Sequence, residues 1–472
     1  MTISLEGASA KVDAGSVSVI VSENHPLIAL ANSLPWETLM DLCAEDLKKT
    51  TKKGCWWTGR KLQVRIHLAA YFLQKLHNLT DRQLEYGLKD NAAFQLFCGS
   101  TIIPKWHAPD HTKIEEFRSR LSADTQRSLA NSLAQLGVHC GYGDPSQTDI
   151  DSTVQEANMA YPSDATLLPK LCSGAKKLVD YLMKHAKDRL PEGLKVDMKK
   201  VKEKARSYFF LPKNAPVEKR REVFRDFFTM VKQEMRPVVD LCNSLDSATL
   251  AQMPWNVRRA WNVRRAYDQI KDKAWRYLLD VAHFTRNHTI KAGKILSLHC
   301  SEVACIKKGK VGKENEFGRV FQLGRIKGNF LFVLNSTSIR MNDKESLVPM
   351  LAEHQVLFGE DTLTSLSTDK GYWSSKNLKA AAQYNIKDIG LQPPANIKRN
   401  KKLLPTPEIQ EKLRDRRAGI EPLIGHVKHR GQLGKSRMKS DAATLAAGYA
   451  SVLGFNIRQL IRHQGGKMKE AA

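Results

Sequence analysis

The stretch "TDIDSTVQEA", residues 148–157, is polar, acidic and β-branched, and its reading decides the architecture. That composition suits a strand, in which alternate side chains share a face, so Asp149 and Asp151 point the same way. The preceding "GYGDPSQ" (141–147) has linker chemistry. From Leu171 to about Cys300 the pattern is helical, with Phe224, Phe227, Phe228, Val231 and Met235 forming an apolar core stripe. Strand signals return after Cys305 in "EFGRVFQL" (316–323) and in "NFLFVLN" (329–335), whose continuous apolar run predicts burial on both sides. "TLTSLS" (362–367) leads into Asp369, helix-like "NLKAAAQYN" (377–385) follows, and "IKDIGL" (386–391) is strand-like again. Strand and helix therefore alternate as in an α/β layer, with a helical insertion between its first and second strands.

Upstream, Leu62, Ile66, Ala69, Leu73 and Leu76 step by four and three, which predicts an amphipathic helix. Thr80 with Gln83 matches a capping box opening "TDRQLEYGL", so residues 58–98 read as a helix-turn-helix, either DNA-reading or merely structural. "WHAPDHTKIEEFRSRL" (106–121) begins with a turn and runs into a further helix. In the tandem "WNVRRAWNVRRA" from Trp255, six residues turn a helix by about 600°, so the two tryptophans stand about 120° apart, unlike a core stripe. Its Arg258, Arg259, Arg264 and Arg265 are candidates for phosphate contact, with a solvated face as the alternative.

The 472 residues carry 75 Lys and Arg against 49 Asp and Glu, a formal charge of +26, which points to a polyanionic partner. The most basic block, Asn396 to Ser440, holds thirteen Lys and Arg against four acids and includes "KRNKK", read as a loop. Eight scattered cysteines without a C-x-x-C pair argue against a zinc ribbon or a disulfide frame, and His299, Cys300 and Cys305 read as packing. The N-terminal stretch lacks the basic segment of a secretory signal. "LAAGYASVLGFNI" (445–457) is too short to span a bilayer, so a buried helix and a cytoplasmic protein are expected.

Asp151, Asp369 and Glu421 each sit in cationic or turn-rich surroundings. Singly, each reads as a salt-bridge partner; together, carboxylates brought from two strands and a helix make a centre for a hard divalent cation and phosphoryl transfer. "DIDSTVQEANMAYPSDATLL" (149–168), "STDKGYW" (367–373) and "RRAGIEPLIGHVKHR" (416–430) resemble the three catalytic blocks of DDE-type bacterial insertion-sequence transposases. The segment "LTDRQLE…FCGS…PDHTKIEEFRSRL" is similar to the N-terminal region of the InsH-like branch, and the matching blocks bracket residues from about 60 to 464.

The resemblance implies a ribonuclease-H-like mixed-sheet catalytic core with an all-α N-terminal domain and an α-helical insertion. Its divisions are 1–140 helical and DNA-binding, 141–170 the first strand, 171–300 the insertion, 301–440 the rest of the core, and 441–472 a C-terminal helix and tail. It makes Asp151, Asp369 and Glu421 the catalytic metal ligands of two Mg²⁺ ions, with Mn²⁺ as a substitute. Asp149 is a rival to Asp151; the small residue and threonine after Asp151 favour the latter. The family's arginine and lysine fall on Arg417 and Lys428, within about 40° of Glu421 on one helix, although Pro422 kinks or starts that helix. A tyrosine usual in the family is Arg414 here. Lys370 and Tyr372 flank Asp369 as candidates for the scissile backbone, with a solvated lysine and a packed ring as the favoured alternative, and His426 and His429 either contact phosphate or are idle. The implied activity is cutting of element ends and transfer of their 3′-hydroxyl strands to target DNA by a homodimer in the bacterial nucleoid. The implied partners are terminal inverted repeats, read by the N-terminal helices, and target duplex. A magnesium nuclease that never joins strands and a catalytically silent DNA-binding protein are the alternatives.

Overall fold

The computed structural model describes residues 2–4, 18–51, 54–57, 61–102, 106–159, 161–185, 190–245, 258–310, 313–336, 341–393 and 404–470. The chain divides into two compact units, one of residues 1–157, 318–438 and 442–472, the other of residues 158–317 and 439–441.

The first unit is built on a mixed sheet. Its central strand, β5 (Asp144–Glu156), starts earlier than the sequence indicates, because Asp144 to Gln147 of the expected linker belong to it. The β-hairpins β1 (Thr2–Ser4) with β2 (Ser18–Ile20) and β3 (Lys48–Thr51) with β4 (Gly54–Trp57) precede it. The other sheet strands are β6 (Ala304–Lys310), which like the first residues of β7 falls among the second unit's residues, then β7 (Lys313–Lys327), β8 (Leu331–Val333), β9 (Ser365–Thr368) and β10 (Asp388–Gly390), in the order β10-β9-β5-β7-β6, with β8 also on β7. β7 runs antiparallel to β5 and to β8, whereas β9 runs parallel to both β5 and β10.

Helices α1 (Pro26–Ser33), α2 (Trp36–Leu42), α3 (Ala44–Leu47), α4 (Lys61–His77), α5 (Asp81–Asp90), α6 (Ala92–Cys98), α7 (His111–Arg120) and α8 (Ala123–His139) precede β5. The capping box forms in full: Thr80 Oγ1 accepts from Gln83 N at 3.2 Å, and Gln83 Oε1 accepts from Thr80 N at 2.9 Å. The expected α4 stripe is buried at Ile66, Ala69, Leu73 and Leu76 while Gln63 and His77 are exposed, but every residue from Leu68 to Gln74 is buried, so neighbours enclose the helix over that stretch. Nor does residue 140 separate two cores. Leu129 and Leu133 of α8 belong to one apolar cluster with Phe321, Leu323 and Phe332 of the sheet, so the helical region and the sheet fold around a shared interior.

Two buried asparagines show how that interior is sealed. β8 pairs with β7 on one side, leaving the outer N–H and C=O groups of Leu331 and Val333 without a strand partner. The Asn456 amide, on the C-terminal helix, donates to Leu331 O at 2.7 Å and accepts from Leu331 N at 3.0 Å. Asn131 of α8 serves Val333 in the same way, at 3.1 and 2.9 Å. The buried strand expected at 329–335 thus exists because side-chain amides complete its edge.

A third polar contact pins the start of β5. Its register against β7 slips between Asp144 and Thr148, and the Pro145 carbonyl accepts a hydrogen bond at 2.9 Å from Nε2 of buried His354, on the helix Asp343–Phe358. Burial lowers the His354 pKa from 6.5 to about 4, so the folded chain holds a neutral imidazole. Between those values the unfolded chain binds the additional proton. The His354 contribution is therefore complete above pH 6.5 and is lost as pH falls toward about 4. A His354→Gln variant, which keeps a donor but cannot titrate, is expected to flatten the fall of unfolding free energy with pH across that window, measured by urea titration, by up to roughly 1.4 kcal/mol per pH unit. An unchanged slope would show that other groups control acid lability.

Apart from β6 and the start of β7, the second unit is helical: α9 (Asp164–His185), α10 (Met198–Phe209), α11 (Val217–Ser244), α12 (Arg258–Gln269), a π-helical turn at Ile270–Ala274, and α13 (Trp275–Asn287). Phe224, Phe227, Phe228, Val231 and Met235 are all buried here, as their stripe indicates. The unit extends beyond the expected 171–300 to residues 158–317. In the tandem repeat, Arg264 lies 3.1 Å from Asp268, while the side chains of Arg258, Arg259 and Arg265, like Trp255, lie outside the described residues. His299 Nε2 lies 2.8 Å from Asn158 O, and Cys300 is buried beside it, as packing requires.

After β8 come α14 (Asp343–Phe358), α15 (Ser375–Gln383), α16 (Pro407–Ala418), α17 (Ile420–His429) and α18 (Asp441–Glu470), the last containing the expected buried segment 445–457. "KRNKK" falls outside the described residues. No described helix is long and apolar enough to cross a membrane.

Candidate active site

The register of the central strands sets the site. β5 and β9 run parallel, with Asp149 opposite Ser367 and Ile150 opposite Thr368. One step further along each chain stand Asp151 and Asp369, so parallel pairing alone brings these two acids to the same end of neighbouring strands. Beyond β9 the chain turns into a 3₁₀ turn at Lys370–Tyr372, and Asp369 caps it: Oδ1 accepts from Lys370 N at 2.7 Å. Its other oxygen stands 3.8 Å from the Arg417 guanidinium.

Arg417 and Glu421 come from the basic C-terminal block. α16 ends at Ala418 because Pro422 has no N–H to continue the hydrogen-bond ladder back to it. α17 then starts at Ile420, which puts Pro422 in the first turn, where a missing donor costs little. Gly419 sits at the junction, and a Cβ there would stand 2.2 Å from Arg325 Nη1. Glu421 lies one turn after Arg417, with Oε1 3.1 Å from Arg417 Nη1. Arg417 Nη2 is 3.0 Å from Asp151 Oδ2. One guanidinium thus touches all three acids singled out in the sequence, from positions 151, 369 and 421.

The electrostatics follow. Burial raises the Asp151 pKa, an effect that Arg417 and the Ser152 N–H partly offset and that the nearby Asp369 reinforces. For Arg417, burial alone favours loss of the proton, yet Asp151, Asp369 and Glu421 together outweigh it and hold the group above its ordinary value. Among the described residues no three His, Cys, Asp or Glu side chains are grouped to hold a metal ion. The acids surround a cation already, the guanidinium, and their hard oxygen donors are of the kind that Mg²⁺ selects.

Asp149 has a different setting. Its side chain is 2 % exposed and lies between two arginines, with Oδ1 2.7 Å from Arg416 Nε and Oδ2 3.0 Å from Arg325 Nε. Arg416 also donates to Ser365 Oγ at 2.8 Å and to the carbonyls of Ser365 and Thr148. Adjacent arginines on α16 thus diverge: Arg416 fastens the helix to β5 and β9, and Arg417 reaches the acids. Neither Arg325 nor Arg416 is among the residues the sequence reading selects; the doubled arginine at 416–417 was the available signal.

The remaining candidates fall on either side of the site. Lys428 lies seven residues after Glu421 on α17, hence on the same helical face about 10 Å along the axis. Lys370 is exposed, whereas Tyr372 is fully buried and donates its hydroxyl to Gln322 Oε1, so the ring packs and the lysine is solvated. Arg414, standing in place of a ring, pairs with Glu411 at 3.1 Å. His426 and His429 are exposed on α17. A pocket lined by Thr368, Asp369, Lys370, Gln392, Arg414 and Arg417 opens beside the acids.

Residues 16–120 match the family model described as Transposase domain (DUF772). The match supports a transposase family. It covers α1 to α7, upstream of all three acids, so it bears on the helical region and not on the site. This transposase-like chain is also 23% identical over 208 residues, 43% of its own length and 88% of the relative's, to "Uncharacterized protein ORF8 in nfe locus" of Rhizobium meliloti. No solved structure matches.

Proposed function

We propose that this chain is a DDE-type transposase of the InsH-like branch, which cuts the ends of its element and transfers the 3′-hydroxyl strands to target DNA. The observation that carries the reading is the meeting of Asp151, Asp369 and Glu421 on one guanidinium from three distant parts of the chain. A ribonuclease-H-like core is supported by the sheet, whose acid-bearing centre β5 has antiparallel β7 and β8 on one side and parallel β9 and β10 on the other. The transposase-domain match upstream supports DNA as the substrate, as does the charge of +26.

Asp151, Asp369 and Glu421 are the ligands of a divalent site for Mg²⁺ or Mn²⁺. When bound, such ions lower the pKa of an attacking water or 3′-hydroxyl and neutralise charge building on the phosphate. The protein's own groups do the positioning. Arg417 is permanently charged and planar, so on leaving the acids it is suited to bidentate contact with a backbone phosphate. Lys428 and Lys370 extend that cationic surface along the duplex, and α1 to α8 recognise terminal repeats, two copies of the chain pairing two ends.

The test is to incubate the purified chain with end-labelled duplex carrying its element's terminal repeats, and separately with pre-cleaved 3′-hydroxyl ends and target DNA. Metal-dependent nicking together with joined product is expected. Nicking without joining would favour a hydrolytic nuclease, and neither product in Mg²⁺ or Mn²⁺ would leave a binding protein.

A further inference from the structure

The second unit ends its α10–α11 hairpin in an apolar tip that neither its core nor the proposed chemistry uses. Phe209 is 54 % and Phe210 81 % exposed, adjacent at the end of α10, and Val217 is exposed at the start of α11. Tyr208 braces them from within, with its ring 5.4 Å from that of buried Phe224 and 5.9 Å from that of Phe209. The loop between the helices is held by Arg220, whose guanidinium donates to the carbonyls of Pro212 and Lys213 at 2.7 Å each and of Ala215 at 3.3 Å. The exposed rings are thus presented on a fixed turn.

Their surroundings select a partner. Residues 195–228 contain eleven Lys and Arg and five Asp and Glu, a net charge of +6. Three of those acids are engaged locally, Asp197 with Lys200, Glu218 with Arg221 and Glu222 with Lys219. Arg206, one turn before the rings, and Lys213, just after them, are both exposed. Paired aromatics among cations fit nucleic acid with unstacked bases, because a ring stacks on any base while the cations hold the backbone. A second protein surface matching this tip would need a strongly acidic rim.

We propose that the Phe209–Phe210 tip binds unpaired DNA bases by stacking, and so favours the frayed or gapped DNA that strand cutting produces. This rests on the reading of the chain as a DNA-acting protein.

The experiment uses the full chain, an intact duplex and a duplex with a short single-stranded gap carrying 2-aminopurine. Tighter binding to the gapped duplex is expected, with quenching of the probe. The double variant Phe209→Ala/Phe210→Ala is expected to weaken gapped binding by roughly 5- to 100-fold while leaving intact-duplex affinity and the melting temperature unchanged. Equal gapped binding by wild type and variant would overturn the inference and leave the DNA-acting reading standing. A change in self-association without a change in gapped binding would overturn it in favour of a protein contact. Wild-type protein that binds neither duplex would overturn both.

Discussion

Asp369→Asn is expected to abolish metal-dependent nicking of element-end DNA, by at least about a thousandfold, without altering the melting temperature. The size follows from losing one charged metal ligand, worth several kcal/mol in the transition state when each 1.36 kcal/mol is about tenfold in rate. The specificity follows from where Asp369 sits. Its cap to Lys370 N needs only an oxygen, which asparagine retains, and its 3.8 Å approach to Arg417 is the longest of the three contacts. A half-exposed, nearly isosteric change of this kind costs within about 0.5 kcal/mol of stability. Nicking that persists in the variant would remove Asp369 from the chemistry.

Asp149, two residues from Asp151, should behave in the opposite way. An Asp149→Ala chain leaves Arg325 and Arg416 facing a buried space with no counter-charge, a change that typically costs about 3–5 kcal/mol. α16 then loses the clamp that holds it to β5 and β9, so any loss of activity should accompany a large fall in the urea midpoint. Asp151→Asn, with Asp369 and Glu421 still beside Arg417, should lose activity at nearly unchanged stability. If the two variants melted alike, the division of labour between neighbouring acids would be wrong.

That division was only half legible in the sequence. The alternation of "TDIDSTVQEA" shows that Asp149 and Asp151 share a face, since a pleat has a period of two. It does not show that Arg325 and Arg416, 176 and 267 residues away, close on the first of them. Local signals carried over well: the Thr80–Gln83 box forms, the phenylalanine stripe of α11 is core, and strands stand at β8, β9 and β10. Where environment decides, the sequence misleads. The polar face inferred for α4 is interrupted over Leu68–Gln74 because helices pack around it, and "GYGDPSQ" resembles a linker although Pro145 lies within a strand at a register slip. Neither the extent of the shared core across residue 140 nor the asparagine-sealed edge of β8 has a local pattern, because both depend on contacts between distant segments.

The central claim is that the acids now gathered on Arg417 form one divalent-metal site. Replacing Mg²⁺ with Fe²⁺ and adding peroxide generates radicals at the ion, and the resulting backbone cuts can be mapped by mass spectrometry. Cuts clustered at Asp151, Asp369 and Glu421, suppressed by excess Mg²⁺, are the expected result. Cuts elsewhere, or cuts at these positions that Mg²⁺ fails to suppress, would contradict it.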